Sequence, residues 1–110
     1  MTKLQQVVQS LLEREFNTKE TMQVLSCNQP VFLSWGVSKI LNIQDKGLLL
    51  KVNGHHHKDY VLIALAWDDT YSVYILNKKG EILDTYKDVY FDILTETIDN
   101  RIERIDVYKK

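Results

Sequence analysis

The sequence predicts an α+β fold: two N-terminal helices, an antiparallel meander of about five strands, and a C-terminal helix packed on the sheet. Three observations predict it. Apolar residues recur at steps of three and four from Leu4 to Phe16, as on one face of a helix. From Val31 the period changes to two, and glycine and Asx turns divide the chain into short apolar runs. Helical spacing returns after Asp88. A chain of 110 residues is the usual size of one domain. No proline- or glycine-rich stretch marks a linker, so residues 1–110 read as a single α+β domain.

Thr2 and Gln5 fit a capping box, which opens a helix over about 3–16. Asn17 is the expected stop of that helix. Thr18 is the expected cap of a second, shorter one that buries Met22 and Leu25. Pro30 ends it, because the residue before a proline is pushed out of the helical region.

Val31, Leu33, Trp35, Val37, Leu41 and Ile43 share parity across Gly36, so the segment is one strand bent at the glycine or two short strands. Asp45-Lys46-Gly47 is a turn signal, followed by a strand over 48–53. The run Tyr60 to Trp67 is apolar on both parities, which predicts a central strand covered on both faces. Tyr71, Val73 and Ile75 alternate in the next strand, and Asn77-Lys78-Lys79-Gly80 is a hairpin loop. Ile82 to Tyr86 is a short edge strand in which Asp84 discourages further pairing. Asp88 is the expected cap of a final helix over about 89–105, with Phe91, Leu94, Ile98, Ile102 and Ile105 as its buried stripe. The predicted core holds Leu4, Val8, Leu11, Leu12, Leu33, Ile63, Leu65, Val73, Ile75, Leu94 and Ile98.

Charge argues against nucleic acid as a partner. The 14 basic and 15 acidic side chains give a formal net charge of -1, and no segment carries the basic excess that phosphate binding needs. Trp35, Trp67, Tyr71 and Tyr74 could stack on bases or a small ligand from a sheet face, but without basic company they read as core and sheet residues. The N-terminal residues lack a signal-peptide apolar run, and no apolar stretch is long enough for a membrane span. Cys27 is the single cysteine, so no intramolecular disulfide forms, and a cytoplasmic setting is expected. With no base near it in sequence, Cys27 reads as a buried filler rather than a nucleophile. The four glycines stand apart, so no phosphate-cradling loop exists and no cofactor is expected.

The candidate chemistry is sparse. In an extended segment His55, His57 and Asp59 project to one side, and two imidazoles with a carboxylate are sensible zinc ligands. This His-x-His-x-Asp spacing resembles part of the motif of the metallo-β-lactamase-like hydrolases. The resemblance covers five residues, and the further histidines of that family are missing here. A small metal-dependent hydrolase is therefore the alternative reading, and a polar hairpin rim the preferred one. Asp68-Asp69 could hold a cation but reads as a turn.

The final helix carries the interaction reading. Asp92, Glu96, Asp99 and Glu103 form an acidic ridge at spacings of four, three and four. Like charges so placed cost an isolated helix about 0.2–0.5 kcal/mol per pair, so the ridge is not explained by side-chain pairing. Ile93 projects away from the apolar stripe, near Tyr90, Thr97 and Arg104, which is an interface composition. The expectation is a non-enzymatic interaction module with a protein partner or a second copy of itself. The stretches Val52 to Lys58 and Asp88 to Phe91 also resemble small bacterial proteins of unknown function, a resemblance that implies no activity and assigns no residue role.

Overall fold

The computed structural model describes residues 3–26, 35–53 and 59–102. In order these form α1 (Lys3–Leu11), α2 (Thr18–Ser26), β1 (Lys39–Asn42), β2 (Gly47–Lys51), β3 (Tyr60–Leu65), β4 (Tyr71–Leu76), β5 (Ile82–Val89), a 3-10 turn (Phe91–Ile93) and α3 (Leu94–Ile102). The five strands make one antiparallel sheet in sequence order, as short loops between neighbours require. The fold class is the expected one, and β3 is the central strand. Val61 and Ile63 are buried on one face of β3, Leu62 and Ala64 on the other.

The helices divide between the two faces. On the first, α2 and α3 cover Leu48, Leu50, Val61, Ile63, Val73 and Ile75, with Trp35 buried among them. The Trp35 indole Nε1–H donates to Asp99 Oδ1 at 3.0 Å. Thr95 Oγ1 of α3 donates to the Val24 carbonyl of α2 at 3.3 Å. On the second face α1 is the one helix among the described residues, and it places Val8 against Leu49, Leu62, Tyr74 and Leu76. The chain crosses between faces along residues 12–17, where Phe16 N–H donates to the Asp45 carbonyl at 2.8 Å. Gly47 leaves room for the Leu12 side chain at the crossing: a Cβ there would lie 2.5 Å from Leu12 Cδ2.

Several boundaries depart from the sequence reading. The first helix ends at Leu11, short of residue 16, and Asn17 is not its stop. Asn17 caps α2 instead, its Oδ1 accepting the Glu20 N–H at 3.1 Å. The β1–β2 turn is centred on Gln44 and Asp45, both with positive φ, one residue before the predicted signal. That two-residue geometry matches the twist of a hairpin, and Asn42 secures it by accepting the Asp45 N–H at 2.9 Å. The stretch from Trp35 to Ser38 is not strand, although Trp35, the first described residue of its segment, is fully buried. Gly36 delivers it there, with φ +63° and a hypothetical Cβ only 2.8 Å from the Asn53 carbonyl oxygen.

The last strand also runs longer than predicted. β5 reaches Val89 with two register irregularities, and Asp88 lies inside it at φ 57°. Asp88 therefore caps no helix, and Tyr90 precedes the 3-10 turn with extended backbone. Leu94, Ile98 and Ile102 are buried as predicted, but Phe91 is not, because it belongs to the turn and not to the α-helical repeat. Among the other predicted core residues, Val8, Ile63, Val73 and Ile75 are buried. Leu4, Leu11 and Leu12 are half-buried under the single helix layer, and Leu65 is half-buried at the end of β3. Trp67, assigned above to core or sheet, is 73% exposed on the β3–β4 turn. Leu33, Cys27, Pro30 and Ile105 lie outside the described residues.

Candidate interaction surface

Where β5 hands over to α3, three large apolar side chains reach solvent within four residues. Tyr90 is 61% exposed, Phe91 64% and Ile93 41%. Their exposure follows from local structure. The strand ends at Val89, which is buried, and the next inward position is Leu94. The intervening 3-10 turn precedes the α-helical repeat that begins at Leu94, and Phe91 within it is exposed. Scattered apolar residues are normal on a surface, whereas a contiguous group with aromatics marks a contact site.

The acidic side chains separate into two roles. Asp88, Asp92 and Glu96 are exposed around the apolar group. Asp92 lies in the 3-10 turn and Glu96 in the first turn of α3, where the helix dipole favours negative charge. That placement offsets the like-charge cost noted from the sequence. Asp99 is half-buried and holds the Trp35 indole. Thr97 is half-buried, and its hydroxyl donates to the Ile93 carbonyl at 2.8 Å, which ties it to its own helix. Arg104 and Glu103 lie outside the described residues. Tyr90, Ile93, Asp92 and Glu96 are each exposed near the β5–α3 junction, and so is Phe91, which the helical projection had assigned to the core. A helix start at Leu94 places Glu96 in the first turn, where acidic residues are favoured.

The other candidates dissolve into structure. Asp68 Oδ1 accepts from Thr70 Oγ1 at 2.6 Å and from Thr70 N–H at 3.2 Å, an Asx turn that holds its carboxyl below the usual value. Asp69 pairs with Arg14, whose guanidinium also lies 5.7 Å from the centre of the Trp67 ring. These acids serve the turn. His55 and His57 lie outside the described residues, and Asp59 is half-buried just before β3. Among the described residues, no group of three His, Cys, Asp or Glu could hold a metal ion. None of their helices is long and apolar enough to cross a membrane.

No protein-family model, no curated protein and no solved structure matches this chain.

Proposed function

We propose that this protein is a non-enzymatic interaction module or adaptor whose contact surface is Tyr90, Phe91 and Ile93, bordered by Asp88, Asp92 and Glu96. The exposed aromatic and aliphatic run at the β5–α3 junction is the observation that carries this reading. Burying one such side chain against a partner is worth about 1.5–3 kcal/mol, and aromatic anchors commonly dominate interface energies. The acidic border selects a partner segment with basic side chains around an apolar tip. Those charges mainly speed encounter, and their effect fades with salt. A cytoplasmic setting fits a chain with one cysteine.

The test is a paired capture from the native host with wild-type protein and an Ile93→Asp variant, followed by binding measurements on the purified partner. A partner that the variant loses, and whose association weakens with added salt, supports the reading. Retention by the variant at unchanged affinity refutes it. Light scattering of the isolated protein distinguishes a second copy from a foreign partner. Phe91→Ser serves as the second variant, since Phe91 is largely exposed and its loss leaves the core intact.

A further inference from the structure

The face of the sheet that α1 covers is only partly filled. A groove of about 540 Å³ runs between α1 and the strands, walled by Leu4, Val8, Leu41, Ile43, Leu49 and Tyr60. A single nine-residue helix cannot roof a five-stranded sheet, so among the described residues the β1 side of this face stays open. The volume falls in the range of small-molecule sites.

One end of the groove is basic. Lys78 lines it directly. The Lys51 ammonium stands 6.0 Å from the centre of the Tyr60 ring, which forms part of the wall. Lys39 is the direct cross-strand partner of Lys51. Two like charges facing each other across a strand pair are unfavourable, and a bound anion would relieve them. The N-terminus of α1 arrives at the same end: the Leu4 backbone comes within 3.0 Å of the position a Cβ on Gly80 would take. The first turn of α1 has no acidic residue, so its positive dipole end is not neutralised there. Of the nearby acids, the Glu81 carboxylate accepts from Asn77 Nδ2 at 2.7 Å. Asp59 sits in the bend before Tyr60 and is half-buried.

From these observations we infer that the groove binds an amphiphilic anion, an acyl chain ending in a carboxylate. The tail lies along the aliphatic floor, and the carboxylate meets Lys39, Lys51 and Lys78. The site favours an acyl chain over an extended peptide, because a peptide in this groove must satisfy its amide groups. Among the described residues beyond the cationic end, only Gln5 and Gln9 add side-chain amides to the walls, and Gln5 is already engaged. An acyl chain has no such groups. At about 540 Å³ the groove has room for a medium-length acyl chain such as one of about twelve carbons. This site is on the opposite face of the sheet from α3 and is independent of the interaction surface.

Dodecanoate, titrated calorimetrically below its micellar concentration, is the probe, with dodecanol as the uncharged control. The expected result is one dodecanoate per chain, with dodecanol several-fold weaker. Leu41→Glu places a carboxylate in the groove and should weaken binding by at least about ten-fold. Lys78→Glu should weaken dodecanoate several-fold and leave dodecanol unchanged. Both positions are exposed, and thermal melting checks that each variant folds. Methyl NMR of the wild-type protein needs no variant, and Leu4, Val8, Leu41 and Leu49 should shift on titration. Absence of saturable binding, equal affinity for dodecanol, or shifts confined to other residues would overturn the inference. So would light scattering that shows the groove closed by a second copy of the chain.

Discussion

The two faces of the sheet are built from similar residues and finished differently. The face under α2 and α3 is closed: Leu50, Val61, Ile63, Ile75, Leu94, Ile98, Ile102 and Trp35 are fully buried, and hydrogen bonds tie the helices to one another and to the indole. Among the described residues, the face under α1 is open. Val8, Leu62 and Leu76 are buried, but Leu4, Leu11, Leu12 and Ile43 are only half-covered, and Leu41 remains 45% exposed. Apolar content alone does not separate the two faces. The number of helices laid over each one does, and the closed face serves stability while the open one keeps room for a ligand.

The largest expected effect comes from truncation on the closed face. Ile63→Ala should destabilise by about 2–5 kcal/mol through lost burial and the cavity left behind. The matched truncation Leu41→Ala on the open face should cost roughly 1 kcal/mol or less, because much of that side chain already meets water. Denaturant unfolding of the two variants checks this, and equal losses would erase the distinction between faces.

A smaller effect is expected where the closed face receives its tryptophan. Gly36→Ala forces an L side chain into the left-handed region and against Asn53, at about 1–2 kcal/mol for the backbone alone. An unchanged melting midpoint would mean that Trp35 can reach its place by another backbone path.

The smallest effect belongs to neither face. Asp68 on the β3–β4 turn has its carboxyl held below the usual 3.8, first by the Thr70 hydroxyl and then by the Thr70 amide. A carboxyl lowered on folding stabilises the protein above its unfolded pKa, and that contribution is lost as pH falls through the folded value. Thr70→Val removes the hydroxyl and should move the Asp68 titration back up. Carbon-detected NMR of the carboxyl reads the change, and an unmoved titration would assign the shift to something else.

How much of this was legible in the sequence depended on how local the cause was. The central position of β3 was readable because both parities of Tyr60 to Leu65 are apolar. The helical face of Leu94, Ile98 and Ile102 was readable because the repeat is regular. The end of α1 and the role of Asn17 were not, because one residue type suits both a helix stop and a helix cap. Continuation of β5 past Tyr86 was hidden by the register irregularities and by Asp88 at positive φ, which break the two-residue alternation. Tyr90 and Ile93 were found as surface candidates from a helical projection even though both precede α3. Phe91 was missed for the same reason. The groove could not be seen at all: Leu4, Leu41 and Tyr60 come from distant elements, and an amphipathic stripe does not say which sheet face it will cover or how fully.

The molecule's two tryptophans occupy opposite extremes, with Trp35 fully buried against Asp99 and Trp67 largely in water beneath Arg14. Intrinsic fluorescence therefore reads two separate channels. Emission that a soluble quencher suppresses comes from the β3–β4 turn, while the protected fraction reports on the layer between the sheet and α3. Loosening of that layer appears as new quencher access before any change in total helix content, so one optical measurement can tell a local opening of the closed face from unfolding of the whole domain.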